Sequence, residues 1–221
     1  MNVISYSLYS NNPKYWKSLL LNLQIATEVY PGWQVRVYTA TDVEKEIVEQ
    51  LERGGASVIM YNALPGHKGM FQRFRPFWDD NVTRTIVRDA DDALGYTDRK
   101  TVDMWIESEK QFYTLAAHQG HNKRPVYCCL FGMTNRWDRH LLDFPDLNNI
   151  SDKYGTDEQW IADNLVPLIK DSWLRLRTPK ATPEGYGGER ILVENQPIPQ
   201  DSIIRQLDLS CIKYKYVIGI I

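Results

Sequence analysis

Apolar and polar positions fall into short, regularly spaced blocks through the first third of the chain. Val3 to Tyr9 is a β-prone run that breaks into the polar loop Ser10-Asn11-Asn12. Pro13 stands where a helix begins, with Asn12 as its cap, and Trp16, Leu19, Leu20 and Leu23 recur at helical spacing until Tyr30-Pro31-Gly32. Gln34 to Thr39 alternates as a second strand. Thr41 with Glu44 has the form of a capping box, ahead of Val43, Ile47 and Leu51 on one helical face. Gly54-Gly55 closes that helix, and Ser57 to Tyr61 reads as a third strand. Strand, helix, strand, helix, strand at this spacing predicts an α/β chain with a largely parallel sheet and right-handed crossovers.

Beyond the breakers Pro65, Gly66 and Gly69, Met70 to Trp78 reads as a short helix carrying Arg73 and Arg75. Then comes Thr85-Ile86-Val87-Arg88-Asp89-Ala90-Asp91-Asp92, where β-prone residues run straight into three carboxylates. A buried strand whose carboxyl end opens into acidic residues is a place for chemistry in an α/β sheet. If the chain turns as it leaves the strand, Asp89 and Asp91 can reach one hard divalent cation that also takes phosphate oxygens. A surface turn has the same composition, so the run alone leaves both readings open.

Thr97 to Ser108 is expected to be a helix with Val102 and Ile106 inward. The pattern loosens around His118 and His121, and Val126 to Phe131 reads as a buried strand ending at Gly132. His118 and His121 stand three apart, but no third His or Cys completes a zinc set, so structural roles come first. Cys128-Cys129 reads as core. Thr156 with Gln159 resembles a second capping box, placing Asp157 and Glu158 in the first turn of a helix continued by Trp160, Ile161, Leu165 and Val166. The remainder is irregular.

Composition narrows the classes. With 221 residues, 43% of them apolar, the chain can bury a real core as one domain over 1–221. A net charge of −2 gives no electrostatic case for nucleic acid or an anionic membrane. No stretch has membrane-spanning length, and the apolar ending Tyr216 to Ile221 is far too short. Three cysteines make no disulfide framework and fit a reducing, cytoplasmic compartment. Neither a G-x-G-x-x-G nor a Walker loop is present, so phosphate charge would fall to metal and Arg.

The strand–helix order, the basic helix, the apolar strand ending in D-x-D and the later acidic helix start resemble a glycosyltransferase of the GT-A fold. Arg88-Asp89-Ala90-Asp91 is more closely similar to the R-D-A-D run of small glycosyltransferases encoded by large DNA viruses of chlorella-like algae. The resemblance covers roughly residues 2 to 168, and allows the chain to be the first domain of a longer protein. It implies a mixed, mostly parallel sheet flanked by helices, working in the host cytoplasm. Activity would be transfer of a sugar from a UDP-sugar to a glycan acceptor, with retention, in viral capsid glycan synthesis. Donor contacts would come from Tyr6, Ser7, Leu8, Tyr38, Thr39, Arg73, Arg88 and Ala90. Asp89 and Asp91 would hold Mn²⁺ or Mg²⁺, and Asp157 and Glu158 would meet the donor sugar. Two departures stand out: all four His precede residue 141, leaving the family's usual C-terminal His ligand without a counterpart, and Cys128-Cys129 replaces a Gly-Gly pair on the acceptor side. A sugar-nucleotide pyrophosphorylase, a non-catalytic nucleotide-sugar-binding module and a metal phosphohydrolase are the alternatives. The first would need a Gly-rich, Arg-containing loop after the first strand, where Ser7-Leu8-Tyr9-Ser10 stands.

Overall fold

In the computed structural model the described residues are 1–124, 126–127, 129–135, 139–185 and 188–212; Cys128 and the apolar ending 216–221 lie outside them. β1 (Asn2–Leu8), β2 (Gln34–Ala40) and β3 (Ser57–Tyr61) pair in parallel, joined by α1 (Pro13–Val29) and α2 (Lys45–Arg53). Asn12 caps α1 as expected, accepting from Lys14 N at 3.0 Å. The capping box at Thr41 does not form. α2 starts at Lys45, where the Glu44 N–H is taken by the Asn11 side chain at 2.8 Å, and Thr41 Oγ1 accepts from Ala63 N instead. Competition from a neighbouring loop decides this cap, and local sequence does not show it.

β4 (Arg84–Val87) lies on the other side of β1, also parallel to it. α3 (Tyr96–Glu107) follows, then β5 (Phe112–Ala116) and β6 (Phe131–Thr134). β6 runs antiparallel between β4 and β5. β7 (Trp173–Arg177) and the two-residue β8 (Ile191–Leu192) complete a mixed sheet in the order 3-2-1-4-6-5-7-8. Two corrections follow. The strand read over Val126–Phe131 starts only at Phe131, because Leu130 N donates to Tyr127 O in a turn just before it. β5, β7 and β8 fill stretches that read as irregular.

Side chains alternate between two cores, as strand geometry requires. Ile86 and Tyr113 join the aliphatic core under α1, α2 and α3, while their neighbours Val87 and Phe112 face an aromatic core. That second core stacks Phe71, Phe74, Phe77 and Phe131 beneath a 3₁₀ helix over Lys68–Trp78. It is closed by α4 (Thr156–Trp160), a π-helical turn Ile161–Leu165 and α5 (Val166–Ile169). Pro167 has no N–H to give the regular ladder, which suits the widened turn before it. Gly132 in β6 lies against Tyr113 and Thr85 O, where an added Cβ would come within 2.6 and 2.8 Å. No helix among the described residues is long and apolar enough to cross a membrane.

Candidate active site

The carboxyl ends of β1 and β4 and the 3₁₀ helix meet at one point. Ser5 and Ser7 project from β1 and donate to the carbonyls of Arg73 at 2.7 Å and Met70 at 3.3 Å, docking the helix across the strand end. Gly69 permits that approach, since a Cβ there would lie 2.6 Å from Tyr61 Oη. Arg73, only 6% exposed, then pairs with Asp89 and, at 2.7 Å, with Asp157 Oδ2 of α4. One guanidinium thus ties together three segments far apart in sequence. Its planar fork suits two carboxylates at once.

Residues 89–92 form a tight turn in which Asp92 N donates to Asp89 O at 3.1 Å. Asn22 of α1 clamps it from behind, donating to Asp92 O at 2.7 Å and accepting from Leu94 N at 2.9 Å. The turn sends the three carboxylates different ways. Asp91 meets Lys14 Nζ at 2.5 Å. Asp89 and Asp92 converge with the Cys129 thiol, their ligand atoms all within 4.8 Å of one another. Burial, and then Asp89 and Asp91, push the Asp92 carboxyl well above the usual carboxylate range. Burial together with Asp92 and Asp89 likewise pushes the thiol up.

Two cavities flank Asp89. One, of about 120 Å³, is lined by Ser7, Leu8, Tyr9, Lys14, Tyr15, Arg73, Ala90 and Asp91. The other, of about 390 Å³, is lined by Asp92, His118, His121, Arg124, Tyr127, Cys129 and Glu158. Asp89 and the exposed Tyr154 border both. Glu158 faces the larger cavity and pairs with Arg124; burial, and next the neighbouring Asp157, raise its carboxyl above the ordinary glutamate range. The rings of His118 and His121 meet at a 42° tilt with centroids 3.9 Å apart, and the Nδ1 of each accepts a backbone N–H of its own loop, from Gly120 and Ala117. That is a structural role for both rings.

Of the residues singled out in the sequence, Ser7, Leu8, Arg73, Asp89, Ala90 and Asp91 therefore gather at the first cavity and Glu158 at the second, with Asp157 buried behind on Arg73. Tyr6, Tyr38, Thr39 and Arg88 line neither. Tyr6 and Thr39 are fully buried and Tyr38 nearly so, because β1 and β2 are covered on both faces. Arg88 is spent on structure: it pairs with Asp98 at 2.7 Å and donates to Tyr113 Oη and to the carbonyls of Val87 and Phe131. Sequence reading missed Lys14, Tyr15 and Tyr154, which only the fold brings to the site. It also missed Asp92 as a site residue, although Asp92 stands beside the D-x-D and was legible as a third acid. The reading of Thr156 as a cap needs correction too: Gly155, at φ +80°, takes the cap position, and the Thr156 hydroxyl donates to Lys153 O.

These donors fit a divalent cation. The carboxylates and thiol converge, and Asp92 Oδ1 has no hydrogen-bond partner among the described residues.

No protein-family model matches the chain, and no curated protein matches it in sequence. Solved structures do match its fold. A mannosyltransferase from Pyrobaculum calidifontis, solved with GDP-Man and Mn²⁺, superposes with a TM-score of 0.53 at 11% identity, over 93% of this chain and 59% of that one. Glucosyl-3-phosphoglycerate synthase from Mycobacterium tuberculosis gives 0.52 at 9% identity, over 93% and 74%. A cytidylyltransferase from Leptospira borgpetersenii gives 0.50 at 14%, over 81% and 76%. The fold is thus GT-A, that of nucleotide-diphospho-sugar transferases. At these identities the likeness is one of fold, and the chain spans 59% of the Pyrobaculum enzyme's length.

Proposed function

We propose that the protein is a metal-dependent glycosyltransferase that moves a sugar from a UDP-sugar to a glycan acceptor with retention of configuration. The observation that carries this is the position of Asp89 on the wall between two cavities, with Arg73 joining it to Asp157. The smaller cavity takes the nucleotide, with Tyr9 and Tyr15 beside the base and Lys14 and Arg73 facing the diphosphate. A divalent cation at Asp89 would neutralise the UDP leaving group. Arg73 and Lys14 stabilise the same developing charge as fixed donors.

The larger cavity takes the donor sugar and the acceptor. Glu158 lies on its wall, and the basis for retention is a double displacement in which its carboxylate would displace UDP from the anomeric carbon and the acceptor hydroxyl would then displace the carboxylate. Arg124 holds that carboxylate in place. A viral, cytoplasmic setting and capsid glycans as the product rest on the R-D-A-D resemblance alone.

A cytidylyltransferase, the Leptospira enzyme, matches this fold too, but a pyrophosphorylase would need a Gly-rich, Arg-containing loop after β1, and here that loop is Ser7-Leu8-Tyr9-Ser10. The test is a panel of nucleotide-sugars incubated with the protein and Mn²⁺ while released nucleoside diphosphate is followed. UDP release from one UDP-sugar, abolished by chelation, is the expected result. Pyrophosphate chemistry on sugar phosphates, or inertness towards every donor that binds, would reject transfer in favour of the alternatives.

A further inference from the structure

We infer that the cation is held between Asp89, Asp92 and Cys129, a mixed carboxylate and thiolate site, rather than by the two carboxylates of Asp89-Ala90-Asp91. The inference rests on the reading above that a cation accompanies the donor, and it names the residues that hold it and the class of ion they prefer.

The turn over 89–92 decides which carboxylates meet. Its closing bond, Asp92 N to Asp89 O, brings the first and fourth residues together and turns the third away. Asn22 fixes this arrangement through both Asp92 O and Leu94 N. Asp91 leaves on the side of the first cavity, where Lys14 already neutralises it at 2.5 Å. Asp89 and Asp92 instead share the second cavity with Cys129.

Ligand atoms within 4.8 Å of one another need only small side-chain rotations to close on an ion. Bonds of about 2.1 Å to oxygen and about 2.3 Å to sulfur would set them ~3.5 Å apart around a tetrahedral centre. Asp92 is 7% exposed, and its Oδ1 has no hydrogen-bond partner among the described residues. A buried carboxylate oxygen beside a second carboxylate is costly unless something positive meets it. No cationic side chain is paired with Asp92 among the described residues; Arg73 is engaged by Asp89 and Asp157, and Arg88 by Asp98. A metal ion fills this gap and gives the half-buried Cys129 thiol a reason to lie against two acids.

Sulfur in the set changes the expected ion. Oxygen-only sites suit Mg²⁺ and Mn²⁺, whereas a thiolate favours borderline ions such as Zn²⁺ and Co²⁺. The thiolate also supplies the third protein ligand, while His118 and His121, the histidines that line the same cavity, are bonded within their own loop.

Cobalt tests this without any turnover assay. Co²⁺ bound through a thiolate shows a sulfur-to-cobalt charge-transfer band in the near ultraviolet, and an oxygen-only site does not. The full chain is titrated with Co²⁺, with and without UDP, alongside Asp91→Asn, Asp92→Asn and Cys129→Ser, with thermal melts confirming that each is folded. The band is expected in wild type and Asp91→Asn and absent in Cys129→Ser. Asp92→Asn should weaken calorimetric Co²⁺ affinity at least about tenfold. Cobalt binding without the band, lost in Asp91→Asn and kept in Asp92→Asn, would overturn this assignment while leaving the transferase reading intact. Failure of wild type to bind Co²⁺ or Mn²⁺ in either condition would overturn both this site and the metal dependence proposed above.

Discussion

Asp157 and Glu158 are neighbours in sequence with opposite surroundings, and this separates their roles. Asp157 is 2% exposed and bonded to Arg73, so it positions that guanidinium. Glu158 opens onto the larger cavity. Glu158→Ala should lower kcat by about 10²-fold or more with donor affinity little changed, as for a lost catalytic group. Asp157→Ala should show chiefly in stability, losing about 3 kcal/mol as a buried charge loses a partner, measured by urea unfolding. A silent Glu158→Ala beside a damaging Asp157→Ala would reverse the assignment. His121 supplies a pH signature. Burial, then His118 and Arg190, lower its pKa to about 3, so between that value and the unfolded pKa of about 6.5 only the unfolded chain carries the proton. Its contribution is therefore complete above about pH 6.5 and is lost as pH falls towards 3. His121→Asn should flatten the fall in unfolding free energy between about pH 7 and pH 4.5 by on the order of 2 kcal/mol. Parallel curves for the two proteins would show that the imidazole is not held neutral.

Among the elements, the ion pair of Arg88 and Asp98 joins the end of β4 to the first turn of α3 with both side chains essentially inaccessible. Asp98 also accepts from Tyr30, the residue that follows α1, at 2.7 Å. Asp98→Ala should cost about 3–5 kcal/mol in urea unfolding, because Arg88 would stay buried without its carboxylate. UDP affinity of the folded fraction should not change, since the pair lines neither cavity; a variant that keeps its stability but loses UDP would return Arg88 to the donor site. Arg88 shows how far elements can be read from sequence. Its place beside Asp89 made it look like a donor ligand, and only the packing of α3 and β5 shows that it serves the core. β1 to β4 with their helices were legible because each is a periodic block bounded by Gly, Pro or Asn. β5 and β7 were not, because Phe112–Ala116 and Trp173–Arg177 have no such boundaries. Val126 to Phe131 is as apolar as a strand but is used half as a turn. The capping boxes failed for separate reasons: Asn11 of a nearby loop takes the Glu44 N–H, while Gly155 occupies the cap position of α4 and the Thr156 hydroxyl turns back to Lys153 O.

At the scale of the molecule, the sheet order puts the β1 and β4 ends side by side, and loops from α1, the 3₁₀ helix and α4 close over them. The acidic run was legible as a site. That it opens into two cavities was not, because the second depends on β6 pairing antiparallel with β4, which brings Cys129, in the turn before β6, beside Asp92. The arrangement also bears on nucleotide choice. A cavity of about 120 Å³ is small beside the roughly 300–1,000 Å³ of common small-molecule sites, so it suits a pyrimidine better than a purine. The residues beside it are Tyr9 and Tyr15, whose rings can stack on a base, together with the backbone from Ser7 to Ser10. In the presence of Mn²⁺, UDP should therefore raise the melting temperature more than GDP or ADP. At about a hundred times its Kd, UDP should add about 2.7 kcal/mol of stability. Tyr15→Ala should remove most of that shift without unfolding the chain, because Tyr15 is only partly buried on the outer face of α1. CDP is the stringent control, since it has the same ring size and differs from UDP only in the polar edge of the base. A CDP shift equal to that of UDP would mean that the pocket measures size alone; an equal shift from all four nucleotides would place the base outside this cavity altogether.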